Sequence, residues 1–194
     1  MPFNIPILLT WLRVALIPLV VGVFYLPDSW MDDHAKGLAS TVIFIVAAIT
    51  DWIDGYLARR WNETSAFGAF LDPVADKLMV AGALLILVEF RDVSAVLAFI
   101  IIGREIAISA LREWMAQIGA SKSVAVSSLG KIKTIAQMVA IPMLLYQGIL
   151  FGVIDTTLWG NWLLWMAAVL TVWSMFYYLR KAWPLIKENA GRLI

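Results

Sequence analysis

Six stretches of about twenty mostly apolar residues recur along this chain, roughly 5–26, 37–59, 69–89, 94–114, 133–152 and 158–180. A helix needs about 20 residues to cross the ~30 Å hydrocarbon layer of a bilayer. In lipid, only helices and closed barrels satisfy their own backbone polar groups. Segments this long and this evenly apolar read as helices. The composition agrees: 62% of the 194 residues are hydrophobic and mean hydropathy is +0.84, whereas soluble domains average about 45–50% apolar. The expected fold is therefore all-α and integral to the membrane, with six transmembrane helices in a single domain over residues 1–194. Pro18 and Pro142 fall inside spans and should bend them. Arg13 lies inside the first stretch and no small-residue cleavage site follows it, so that stretch does not read as a signal peptide. No internal repeat or linker suggests a second domain.

Loop charge sets the orientation, because lysine and arginine collect on the cytoplasmic side. The 27–36 loop carries one lysine against three aspartates, and the 148–157 loop carries no basic residue. The 89–93 loop pairs Arg91 with Glu89 and Asp92. On the other side lie Arg59, Arg60, Arg112, Lys122, Lys131, Lys133, Arg180, Lys181, Lys187 and Arg192. Both termini are thus expected in the cytoplasm. The net charge of +1 hides this asymmetry, and no nucleic-acid partner is expected. Without cysteine, disulfides and thiolate metal sites are excluded. The lone His34 reads as an exposed loop residue. Trp30, Trp159, Trp162 and Trp183 sit near span ends, where an interfacial aromatic belt belongs. The C-terminal KAWPLIKENAGRLI is basic and amphipathic and reads as an interfacial segment.

Against this apolar background stands a spaced acidic set: Asp51-x-x-Asp54-Gly55-x-x-Ala58-Arg59, eight residues, then Gly68-x-x-x-Asp72-x-x-x-Asp76. An ionisable group at membrane depth is costly and points to function. Asp51 and Asp54 are i, i+3, and Gly68, Asp72 and Asp76 are i, i+4, i+8, so each set shares one helix face. Both sets lie at the cytoplasmic ends of adjacent antiparallel spans. Four converging carboxylates stay ionised only with cations among them. Hard divalent metals take oxygen ligands and phosphate substrates, so the pattern points to phosphate chemistry at a membrane surface. Gly55 and Ala58 leave room for a bulky group such as a nucleotide, Gly68 does the same or allows close helix packing, and Arg59 can grip a diphosphate bidentately. Pro73 is expected in about the first turn of its helix, where its missing amide costs nothing. The plainer alternative is that the aspartates form buried salt bridges with Arg59, Arg60, Lys77 and Arg104. Retaining four buried carboxylates for packing alone has little physical advantage, since apolar replacements are often neutral or stabilising.

The motif D-x-x-D-G-x-x-A-R-x8-G-x-x-x-D-x-x-x-D resembles the signature of the CDP-alcohol phosphatidyltransferases, and all eight of its fixed positions are filled here. The segments FNIPILLTWLRVALIP, GREIAISALREWMA and SVAVSSLGKIKTIAQM are similar to the branch of that family that makes phosphatidylglycerophosphate. Together the matched regions cover roughly residues 2–25, 45–80 and 101–141. The resemblance implies a six-helix enzyme of the bacterial inner membrane, usually a homodimer, with its active site facing the cytoplasm. It implies CDP-diacylglycerol as donor, attack of an acceptor hydroxyl on the lipid-linked phosphorus, and release of CMP. It further implies two divalent ions, Mg2+ or Mn2+, held by Asp51, Asp54, Asp72 and Asp76, with Asp76 as general base. Asp51, Asp54, Gly55, Ala58, Arg59 and Gly68 would hold the CDP moiety.

The basic residues narrow the acceptor. Arg104 lies about mid-depth in the fourth span and Arg112 two turns nearer the cytosol, while Lys131 and Lys133 open the fifth span. Four cations on neighbouring helices would form an anion pocket, which suits sn-glycerol 3-phosphate better than serine or choline. Each also has a plainer reading: Arg104 paired with a carboxylate such as Glu105, the others touching anionic headgroups. Lys122 reads as a solvated charge, and Glu105 and Glu113 as orienting partners. Asn4 and Thr10 either reach the nucleotide or cap a helix, and Arg13 either holds a phosphate or snorkels. The runner-up functions are a related transferase using inositol phosphate, serine or phosphatidylglycerol, and an ion or proton transporter. A relay would need acids at several depths, but here they lie at one level.

Overall fold

The computed structural model describes residues 5–61, 66–91, 93–120 and 128–190. Asn4, Lys122 and Arg192 lie outside the described residues, as do the side chains of Ala58, Arg59 and Lys131. The fold is nearly all-α: α1 Ile5–Gly22, a 3-10 turn Val23–Tyr25, α2 Asp33–Trp61, α3 Ala66–Phe90, α4 Ala95–Gln117, α5 Ser128–Tyr146 and α6 Thr156–Ala190. Each apolar stretch becomes one helix. Among the described residues, three stretches are long and apolar enough to cross a membrane by length and composition: Leu8–Tyr25, Asp33–Leu57 and Thr156–Lys187. Large apolar side chains point outward along the bundle, among them Trp52, Phe70, Phe99, Trp173 and Phe176. Trp30, Trp159, Trp162 and Trp183 are exposed as well.

Several boundaries differ from the sequence reading, each for a local reason. The fifth helix stops at Tyr146, not near 152, because Gln147 takes a positive φ of 46°. A small antiparallel hairpin follows, pairing Ile149 with Asp155 and Leu150 with Ile154. Three residues, 151–153, join the strands; Phe151 and Gly152 have φ of 54° and 72°, and the Val153 amide donates to the Leu150 carbonyl at 3.2 Å to close the turn. Asp155 then caps α6, its Oδ1 accepting from the amides of Thr157 and Leu158 at 2.9 and 3.1 Å. Likewise Asp32 accepts from the Ala35 amide at 2.7 Å, which starts α2 early enough to place His34 in its first turn. Pro73 lies seven residues after Ala66, two turns into α3, not in the first turn. Finally, α6 runs 35 residues through Pro184, about 50 Å at 1.5 Å per residue. Through Ala190 the basic C-terminal segment is thus a helical extension. It packs on the end of α4, where Tyr178, Ala182, Leu185 and Ile186 meet Ile108, Trp114 and Met115.

The main core gathers Phe44 and Ala47 of α2, Leu84 and Leu87 of α3, Leu97 and Ile101 of α4, Ile141 and Leu144 of α5, and Leu164 and Ala168 of α6. α1 packs on α2 and α3, α5 on α2 and α6, and α4 on α3 and α6. Small residues permit close crossings: a Cβ on Gly160 would stand 2.7 Å from Leu144 Cγ. At the end where α2 begins, Arg91 ties three segments together. It donates to Asp33 Oδ2 at 2.5 Å, to the Asp33 carbonyl at 3.0 Å and to Gln147 Oε1 at 2.9 Å. Nearby, Lys36 donates to Asp28 at 2.6 Å and holds that carboxyl below its usual range.

Candidate active site

Because the helices alternate in direction, the first halves of α1, α3 and α5 meet the second halves of α2, α4 and α6 at one end of the bundle. The chemistry-bearing residues lie there. Asp51 and Asp54 project from one face of α2, Asp72 and Asp76 from one face of α3, and α1 packs against both helices. Arg13 of α1 is completely buried at the point these faces share. Its Nη1 contacts Asp51 Oδ1 at 2.7 Å and Asp76 Oδ1 at 3.0 Å, and its Nη2 pairs with Asp54. Thr10, one turn earlier, donates to Asp72 Oδ1 at 2.9 Å and lies 3.5 Å from Asp54 Oδ2. So Arg13 does not snorkel, and Thr10 binds carboxylates from within its helix. The two residues link α1 to all four aspartates.

One guanidinium does not balance four carboxylates. That acidic surplus calls for further cations. Asp51 and Asp76 have side chains 39% and 47% exposed, whereas Asp54 is buried. Among the described residues no three acidic side chains stand as a ready metal-ligand set, since Arg13 occupies the position three of them share. The donors themselves, all carboxylate oxygens with two facing open space, fit hard divalent ions. Among the described residues the salt-bridge alternative takes a different form from that expected: the partner is Arg13. Arg60 instead donates to the Tyr56 hydroxyl at 2.7 Å, and Arg104 faces α6.

The open space is a cleft of about 300 Å³. Asp51 and Asp76 line one part of it, Lys77 and Gln137 flank it, and Arg104, Glu105 and Arg112 of α4 line another. Arg104 is buried and donates through Nη2 to Ser174 Oγ of α6 at 2.7 Å, with Glu105 Oε1 3.7 Å from its Nη1. Lys133 of α5 is also buried and pairs with that same Glu105 oxygen. Arg104 and Lys133 therefore share one carboxylate, and with Arg112 on the same cleft this leaves a positive surplus beside the acidic cluster. The Nε atoms of Arg104 and Arg112 are buried without a hydrogen-bond acceptor among the described residues. Gly55 follows Asp54 on α2, and Gly68 stands one turn before Asp72 on α3; both are half-buried.

The structure thus brings together Asp51, Asp54, Asp72, Asp76, Thr10 and Arg13, and sets Arg104 and Arg112 across a common cleft. Sequence reasoning underrated Arg13 and did not single out Ser174, Tyr178 or Gln137. A signal for Arg13 was present: a cation in an apolar span with no acid on its own helix must find partners on others.

Comparison with known proteins agrees with this geometry. A family model described as CDP-alcohol phosphatidyltransferase matches residues 3–173. The chain is 54% identical over 186 residues to a CDP-diacylglycerol–glycerol-3-phosphate 3-phosphatidyltransferase of Pectobacterium atrosepticum, covering 94% of this chain and 96% of that protein. Proteins of the same name from Salmonella choleraesuis and Escherichia coli K12 are each 52% identical over 188 residues, with the same coverage.

Proposed function

The chain belongs to the CDP-alcohol phosphatidyltransferase family, and from that premise we propose that it transfers the phosphatidyl group of CDP-diacylglycerol to sn-glycerol 3-phosphate, giving phosphatidylglycerophosphate and CMP. The observation that carries this reading is the shared cleft, with Asp51 and Asp76 in one part and Arg104 and Arg112 in another. An acceptor that bears both a hydroxyl and a phosphate can engage both parts at once. A neutral or zwitterionic alcohol would leave the cationic part unmatched, with buried guanidinium N–H groups unpaired.

In this reading Asp51, Asp54, Asp72 and Asp76 hold two divalent ions, Mg2+ or Mn2+. When bound, these ions neutralise the diphosphate and stabilise charge on the departing CMP. Asp76, open to the cleft, takes the proton from the acceptor hydroxyl as that oxygen bonds to the lipid-linked phosphorus. The bond from that phosphorus to the oxygen of CMP breaks, and CMP leaves with the electron pair. Gly55, Ala58, Gly68 and Arg59 receive the cytidine diphosphate, and Asn4 is assigned to the nucleotide with them. Arg104 and Arg112 orient the acceptor phosphate, supported by Lys131 and Lys133. Arg13 holds three of the four carboxylates in place.

The charge pattern and the exposed apolar surface support the setting. The chain is read as one domain over residues 1–194 with six membrane spans and both termini in the cytoplasm. It lies in the bacterial inner membrane as a homodimer, the assembly that the family resemblance implies. The site opens to the cytosol, where glycerol 3-phosphate is soluble, while the diacyl donor stays in the leaflet. The test is CMP release by purified protein given CDP-diacylglycerol and a panel of acceptors. Release with glycerol 3-phosphate, dependent on Mg2+ or Mn2+, is expected. Faster release with serine, inositol phosphate or phosphatidylglycerol would reassign the acceptor, and no release with any of them would overturn the reading.

A further inference from the structure

Arg104 and Arg112 stand eight residues apart on α4, about 12 Å of helix rise. Nothing within α4 brings their like charges toward one ligand, so the element that does so must lie elsewhere. Both guanidinium carbons stand over the ring of Tyr178 in α6, at 5.9 and 5.4 Å from its centroid. The negative face of an aromatic ring attracts cations at this range, and guanidinium groups favour it. The ring is fixed: Tyr178 is buried among Ile108, Met115 and Ala182. One turn earlier on the same helix, Ser174 accepts from Arg104 at 2.7 Å. Both Nε groups are buried without acceptors among the described residues, and both arginines line the cleft. A buried guanidinium N–H without a partner is costly, and an incoming anion can relieve it. Tyr178 and Ser174 both lie beyond residue 173, where the family match ends.

We propose that Tyr178 is a positioning residue for the acceptor pocket: its ring gathers Arg104 and Arg112 so that both meet one phosphate. Ser174 fixes the roll of Arg104 beside it. The inference rests on the acceptor reading given above, and it makes the distal part of α6 the support behind the pocket's two arginines.

The test compares Tyr178→Leu, which removes the ring, with Tyr178→Phe, which keeps it, in the purified enzyme. Tyr178→Leu is expected to raise the glycerol 3-phosphate KM about tenfold, with the CDP-diacylglycerol KM within about twofold of the parent. Tyr178→Phe should stay within about twofold of the parent in both. An unchanged acceptor KM in Tyr178→Leu, equal rises in both KM values, or a Phe variant as impaired as the Leu variant would each overturn the proposal. If Tyr178→Leu does not fold, Ser174→Ala decides: a several-fold rise in the acceptor KM alone supports the role of α6, and no change overturns it. Should the parent release no CMP with glycerol 3-phosphate, the proposed reaction fails. Calorimetric titration with inorganic phosphate then reads the positioning role by itself. Binding about tenfold weaker in Tyr178→Leu supports it, and equal affinity overturns it.

Discussion

Replacing Arg13 with glutamine tests how the acidic cluster is held. Arg13 and Asp54 have side chains 0% and 4% exposed, so their pair is buried. Removing one partner of a buried pair leaves an uncompensated charge and costs about 3–5 kcal/mol. The contacts to Asp51 and Asp76 add less, because those side chains are 39% and 47% exposed to the cleft and pairs screened by water contribute at most about 1 kcal/mol each. A loss of about 4 kcal/mol follows, a large share of the roughly 5–15 kcal/mol that keeps a domain folded. At about 2–4 °C per kcal/mol for a chain of this length, Tm should fall by about 10 °C. The assay is thermal unfolding in detergent with a chelator present. It is followed by tryptophan fluorescence, since the chain has ten tryptophans and no cysteine for a thiol dye. Added Mn2+ should recover part of the loss, because ions that bind only the folded state stabilise it by mass action. If Arg13→Gln melts within about 2 °C of the parent, the guanidinium is not what holds these carboxylates together.

Asp76→Asn should lower kcat by about a hundredfold or more while CDP-diacylglycerol still binds; equal losses of binding and rate would limit Asp76 to a structural or ligating role. Arg112→Ala should raise the glycerol 3-phosphate KM about tenfold with little change for CDP-diacylglycerol, and an unchanged acceptor KM would remove Arg112 from the pocket. Far from the site, Gly37→Ala should destabilise the fold by about 1–3 kcal/mol, because its Cβ would stand 2.5 Å from the Leu145 carbonyl and 3.0 Å from Arg91 Nη2. A melting temperature equal to that of the parent would show that this crossing is looser than described.

The parts of the fold that depend on local pattern were legible in the sequence. Hydropathy located all six helices, and the i, i+3 and i, i+4 spacings put each pair of aspartates on one face. The ends were harder, because they depend on single residues. The positive φ of Gln147 and the Asp155 cap cut a hairpin out of a segment that is apolar enough to continue a helix. Pairings across the bundle were least legible. Arg13 lies 41 residues from Asp54 and 63 from Asp76 in sequence, and Arg104 lies 70 from Ser174. Spacing within a helix has no bearing on such partners; only the packing of α1 on α2 and α3, and of α4 on α6, selects them. For the same reason the extension of α6 through Pro184 read as a surface segment, although its apolar residues pack against the end of α4.

The central claim is that the carboxylates of α2 and α3 form a divalent-ion site open to a cation-lined cleft. Equilibrium titration of purified protein with Mn2+ in the presence of CDP, with free Mn2+ followed by its paramagnetic resonance signal, tests it most directly. The account predicts about two ions bound per chain, lost when Asp51 and Asp76 are both changed to asparagine. Absence of specific Mn2+ binding in the parent, or the same stoichiometry and affinity in that double variant, would contradict it.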